Sequence, residues 1–159
     1  MSNSTPESTR SLGVVPRCMG YLGLIPFVVL AFCLVTGFDL QFGGNLDPIA
    51  GLLNYAAIII SFIGAIHWGV ALAGTEPGVG PGAAKKTAFA YSVLPALAAW
   101  GLLFLSDRTA MFGMALLVTV LYFVDLLLLS EHSFGGYLRM RLHLTIVVTL
   151  SLVASALVL

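Results

Sequence analysis

Residues 49–73 read IAGLLNYAAIIISFIGAIHWGVALA, a run without a single Asp, Glu, Lys or Arg. A helix crosses the hydrocarbon of a bilayer with roughly 20 mainly apolar residues. The run therefore predicts a membrane-spanning helix. It also carries His67, beside Trp68, in its second half. An ionisable group in hydrocarbon is costly, so His67 is a functional candidate by position alone.

The rest of the chain agrees. Of its 159 residues 59% are hydrophobic and 9% charged, and the mean hydropathy is +1.03. A soluble domain carries about 25% charged residues. So much apolar surface cannot be hidden in one small water-soluble core. The net charge of zero gives no reason to expect a nucleic-acid partner. Cys18 and Cys33 lie too far apart along one expected helix to bridge each other, and they form no metal-type spacing. They read as small apolar packing residues.

Five apolar runs emerge, at about residues 18–37, 49–73, 87–105, 110–129 and 142–159. The breaks between them carry Gly, Pro and charge. Residues 38–48 hold Asp39, Gly43, Gly44, Asp47 and Pro48; residues 74–86 hold Glu76, Pro77, Pro81, Lys85 and Lys86. Asp107 and Arg108 mark a short turn at 106–109, and Glu131, Gly135, Gly136, Arg139 and Arg141 mark a loop at 130–141. Cations accumulate in cytoplasmic loops. With alternating spans, Arg10, Arg17, Lys85, Lys86, Arg139 and Arg141 share one side and Arg108 stands alone on the other. The expected fold is thus an all-α bundle of five transmembrane helices in one domain, 18–159, behind a flexible arm, 1–17. Its N-terminus is cytoplasmic and its C-terminus lies on the far side, in the cell (inner) membrane of a bacterium. The first run is longer than the apolar part of a signal peptide and no A-x-A-like site follows it. Phe32 before Cys33 is too large for a lipid-attachment site.

Small residues let helices approach closely in lipid, and the second span offers Ala57, Ser61, Gly64 and Ala65. Gly64 and Gly69 leave room for a neighbouring backbone on either side of His67 and Trp68. Pro26 and Pro95 predict kinks in the first and third spans, each freeing a carbonyl one turn earlier.

Depth sorts the polar residues. His67 falls about 9 Å, and Asp125 about 6 Å, from the cytoplasmic ends of their helices at 1.5 Å per residue. Arg139, Arg141 and His143 open the last span; Tyr21 opens the first and Tyr91 the third. The expected ligand or proton site is therefore His67, Trp68, Asp125, Arg139, Arg141, His143, Tyr21 and Tyr91, in one layer near the cytoplasmic side. Asp125 needs a partner there or stays protonated. Arg139, Arg141 and His67 are the candidates, and an Asp–Arg pair that pins the fourth loop is the simplest arrangement. Trp100 reads as an interfacial aromatic. Thr145, Thr149, Ser151 and Ser155 read as back-bonded or packing hydroxyls. No metal site and no cofactor are expected. Haem held by His67 and His143 is the minor alternative, since it takes a second axial histidine on a facing helix.

Three stretches resemble a known family. They are residues 55–69, with Ser61-Phe62-Ile63-Gly64-Ala65-Ile66-His67-Trp68-Gly69 as the most specific element, then Ser92-Val93-Leu94-Pro95-Ala96-Leu97, then residues 137–145 with Arg139, Arg141 and His143. Together they resemble the domain of unknown function 3429 family, whose animal relatives are called transmembrane protein 69. The resemblance covers about residues 15–159. It implies a small multi-span membrane protein, points to His67, Trp68, Pro95, Arg139 and Arg141, and assigns no reaction.

No nucleophile elbow, phosphate loop or HExxH pattern is present, so an enzyme is not expected. The first functional expectation is a non-enzymatic accessory, assembly or scaffold subunit, partnered by the bilayer and by a membrane protein or a copy of itself. The alternative is a small-molecule binder or proton-coupled carrier that uses the His/Asp/Arg cluster. For the orientation, a cysteine introduced at Gly44 reacts with an impermeant thiol reagent from outside the cell, and one at Val79 does not; the reverse pattern inverts the bundle.

Overall fold

A computed structural model of the protein describes residues 14–38, 47–73, 83–128 and 131–159. Within these it describes all side chains except those of 66–68, 70–73, 83–91, 128 and 131–134. Six helices follow in order: α1 (Val14–Leu22), α2 (Ile25–Thr36), α3 (Pro48–Ala73), α4 (Ala83–Leu102), α5 (Asp107–Leu128) and α6 (Glu131–Val158). No strand occurs among the described residues. Among the described residues four segments are long and apolar enough to cross a membrane: Val14–Thr36, Pro48–Ala65, Asp107–Leu127 and Gly135–Val158. On α4 the stretch Ser92–Leu102 adds a shorter apolar helix. The architecture is a helical membrane bundle.

The first apolar segment is interrupted beside Pro26, where the sequence predicts a kink. It is two helices, α1 and α2, meeting at Gly23-Leu24. Pro26 lies in the first turn of α2, where its missing N–H is tolerated. Upstream the backbone bonds shift: Gly23 N–H donates to Met19 O at 3.2 Å, and Leu24 N–H donates to Tyr21 O at 3.0 Å in a tighter turn. The break turns the Gly23 carbonyl towards α3, where the Tyr55 hydroxyl donates to it at 3.0 Å. In lipid no water would otherwise satisfy that carbonyl. The Tyr55 ring also meets Phe27 edge-on, centroids 5.1 Å apart. Pro95, by contrast, lies inside a continuous α4.

The ends of the helices follow local chemistry. Asp47 Oδ1 accepts from Ile49 N–H at 2.9 Å and so caps α3, with Pro48 at its first position. Gly37 closes α2 at φ 68°, a conformation that a Cβ disfavours. Ser106 caps the sharp α4–α5 turn: its carbonyl accepts Ala110 N–H at 2.8 Å, and its hydroxyl meets Thr109 at 2.8 Å.

Packing runs α4–α3–α2–α6–α5 and closes where α5 meets α3 and α4. The α3–α4 and α5–α6 pairs are antiparallel hairpins. The first segment lies parallel to α6, since Gly20 faces Met140 and Tyr21 meets His143, all in the first half of the spans Val14–Thr36 and Gly135–Val158. At Gly64 the close approach that small residues predict is realised. A Cβ there would lie 2.5 Å from the Ser92 carbonyl oxygen and 3.4 Å from the Pro95 ring. Gly69 does not share this role, with nothing within 4 Å of its Cβ position. The core joins Phe27 and Leu30 of α2, Leu52, Ala56, Ile60 and Ile63 of α3, Met111, Met114 and Val118 of α5, and Leu152 of α6.

Two boundaries need correction. Residues 14–17, assigned to a flexible arm, open α1. Residues 131–141, read as a loop, form the first turns of α6. Gly135 and Gly136 each disfavour a helix by about 1 kcal/mol. That cost is offset because Leu138 and Arg141, on the same helical face, are buried in the bundle. Arg141 is consequently a buried residue and not a solvated loop cation, whereas Arg139 is exposed.

Candidate functional site

The site grows from the α5–α6 hairpin. On α5 the buried positions include Met111, Met114, Val118, Leu121 and Asp125, alternately three and four residues apart. On α6 they include Leu138, Arg141, Thr145, Val148, Leu152 and Ser155, with the same alternation. Such spacing draws the seam of two helices wound around each other with a left-handed twist. Asp125 and Arg141 both occupy seam positions, so the periodicity that buries leucine elsewhere forces a carboxylate and a guanidinium inward.

They meet there. Arg141 Nε–H donates to Asp125 Oδ2 at 3.0 Å, with Asp125 only 1% and Arg141 5% exposed. The Asp–Arg pairing expected from depth is thus present, and it ties α6 itself to α5. About two turns further along the hairpin, Thr149 and Thr119 exchange a hydroxyl contact at 3.2 Å, and Thr119 also donates to Ala115 O at 2.8 Å. These two pairs fix an antiparallel register that sets Val118 opposite Val148 and Met114 opposite Leu152.

The guanidinium is incompletely used. Arg141 Nη2 is buried and has no hydrogen-bond partner among the described residues. The Thr145 hydroxyl, one turn further on, is in the same state, so of the two roles expected of it, back-bonding or packing, it takes the packing one. Ser155 does back-bond, to Ser151 O at 2.8 Å. One turn before Arg141, the Tyr137 hydroxyl lies within electrostatic reach of both Arg141 and Asp125.

Arg141 and Tyr137 form the polar end of an apolar cavity of about 420 Å³. Its wall is shared by Met19 and Gly20 of α1, Phe27 of α2, Ile59 and Phe62 of α3, Val118 of α5, and Met140 and Leu144 of α6. The break at Gly23-Leu24 lies on the same wall. Before the break, α1 packs mainly on α6.

A family model, described as a protein of unknown function (DUF3429), matches residues 15–157. The chain belongs to this family. No curated protein matches it, and no solved structure does. The DUF3429 match reaches into every described helix, with the Asp125–Arg141 pair and the cavity inside it.

Five of the residues read as one layer have described side chains. Asp125 and Arg141 form the buried pair. Tyr21 and His143 form a second, exposed pair, with the Tyr21 hydroxyl 3.2 Å from His143 Nδ1, linking α1 to α6. Arg139 is exposed and joins neither. His67 and Trp68 lie on α3 and Tyr91 on α4, but their side chains fall outside the described residues. The haem alternative, which needs His67, therefore rests on the sequence alone. Ser92, early in the apolar part of α4, is buried. Trp100 is exposed and stacks edge-on with Phe104 at 4.8 Å, as an interfacial aromatic does. Tyr137 and Thr145 were not among the expected site residues. The three-four spacing through Leu138, Arg141 and Val148 carried the signal for Thr145, and Tyr137 is one turn from Arg141.

Removing one member of a buried ion pair leaves an uncompensated charge and costs about 3–5 kcal/mol. Asp125→Leu and Arg141→Met should each lower the unfolding free energy of the purified protein on that scale. The double variant should lose much less than the two added together. Additive losses would show that the pair is not coupled.

Proposed function

We propose that this protein is a non-enzymatic, multi-pass subunit of the cell (inner) membrane, with its N-terminus in the cytoplasm, that assists or scaffolds a membrane-protein partner. The observation that carries this reading is the one-sided packing of α4. Its neighbours in the bundle are α3 and α5. On its other side Leu94, Leu97, Ala98, Trp100 and Gly101 are exposed, and nothing lies within 4 Å of a Cβ position at Gly101. In lipid, small residues on a helix face favour association with another helix, because backbones approach closely there. The ion pair and hydroxyl contacts hold the α5–α6 hairpin to one register, which suits a scaffold better than a moving carrier.

A second reading, a small-molecule binder or proton-coupled carrier using the His/Asp/Arg cluster, is favoured by one observation. The apolar cavity ends on a buried guanidinium with an unused donor.

The partner reading is tested by photocrosslinking in native membranes. Benzoylphenylalanine at Leu97, on the open face of α4, should give a discrete protein adduct. The same group at Leu127, exposed on α5, should give only lipid adducts. Lipid adducts at both positions would remove the basis for a partner on α4.

A further inference from the structure

We infer that the cavity between α1, α3 and α6 is a binding site for an uncharged amphiphile whose carbonyl oxygen accepts a hydrogen bond from Arg141 Nη2. The inference deepens the binder reading by naming the class of ligand, and the partner reading does not depend on it.

Three observations meet at this place. The first is the cavity itself, whose volume of about 420 Å³ lies within the roughly 300–1,000 Å³ of small-molecule sites. The second is the orphaned donor. Arg141 lines the cavity, is 95% buried, and leaves Nη2 without a partner among the described residues. A buried charged donor left unmade costs more than the bond it lacks, so a ligand that supplies an acceptor recovers that penalty. The third is access. Met19 and Phe62 on the wall are 67% and 68% exposed, so the cavity opens sideways to the surroundings of the bundle. An apolar molecule dissolved in the bilayer enters there without crossing water.

Charge selects the headgroup. Asp125 already neutralises Arg141 through Nε. A carboxylate or phosphate bound at Nη2 would set a second anion beside the first at low dielectric, which is unfavourable. A neutral carbonyl accepts the same bond without that repulsion. Tyr137, beside the guanidinium on the cavity wall, adds a hydroxyl able to donate to the same oxygen. The remaining wall takes a flexible hydrocarbon tail, with Met19 and Met140 able to adapt to its shape. Two molecules in a membrane carry this chemistry, the ester carbonyl of a lipid and the carbonyl of an isoprenoid quinone.

The experiment uses the purified full chain in maltoside micelles and four probes that share a decyl-length tail: decylbenzoquinone, methyl decanoate, decanoate and decane. Binding is read by native mass spectrometry and by the shift in melting temperature. At least one carbonyl probe should bind saturably, one per chain, and about tenfold tighter than decane, the factor expected for one net hydrogen bond. The tighter of the two names the source, quinone or lipid ester. Arg141→Lys, which keeps the charge but removes Nη2, should abolish the preference over decane. Leu144→Trp, which fills the cavity and leaves Arg141 in place, should abolish saturable binding. It decides the matter if Arg141→Lys does not fold. Equal binding of decane, or carbonyl binding unchanged in Leu144→Trp, would overturn the inference. Decanoate binding tighter than both neutral probes, and lost in Leu144→Trp, would overturn the ligand class and leave the binder reading standing. If no probe binds saturably, both fall.

Discussion

The arrangement of this bundle depends on the ion pair between Asp125 and Arg141. Between two transmembrane helices there is little hydrophobic force, since lipid tails are as apolar as leucine. A three-four seam of apolar residues can slip by a turn with little change in what it buries. A buried carboxylate and guanidinium cannot slip, because either one alone in hydrocarbon is far more costly than a displaced leucine. One contact at 3.0 Å near the connected end of the α5–α6 hairpin therefore sets the register of the whole seam. The Thr119–Thr149 contact follows from that register.

The other helices join this hairpin through backbone geometry more than through side-chain chemistry. α3 and α4 touch at Gly64, where the Ser92 carbonyl occupies the space that any larger residue would fill. Pro26 splits the first span, and Tyr55 satisfies the carbonyl that the split exposes. Before the same break α1 packs along α6, where Tyr21 reaches His143, and the break lines the cavity on the flank of Arg141.

Much of this was legible in the sequence. The uncharged runs announced a membrane bundle. Asp125, as the only acidic residue deep in a span, announced an ion pair with a short choice of partners. Gly64 announced a close approach. The limits were physical too. Gly135 and Gly136 resembled a loop because intrinsic preference disfavours them in a helix, but burial of Leu138 and Arg141 on α6 overrides that preference. Nothing in a single sequence distinguishes Arg139 from Arg141 as the partner of Asp125 until the seam periodicity of α6 is followed to its start. The cavity was not readable at all. Its walls are ordinary apolar residues brought together from five helices and from the break at Gly23-Leu24. The described members of the polar layer form one buried pair and one exposed pair, a division that depth alone does not predict, because depth says nothing about which face of a helix a residue occupies.

The most direct test of the register set by the ion pair is disulfide formation across the hairpin seam in membranes, in a background with Cys18 and Cys33 replaced by alanine. Cysteines at Met114 and Leu152 lie opposite each other in this register and should bridge rapidly on mild oxidation, whereas cysteines at Met114 and Val148 lie a turn apart and should not. Faster bridging of Met114 with Val148 would contradict the account, because it would place the seam one turn out of step with a pair between Asp125 and Arg141.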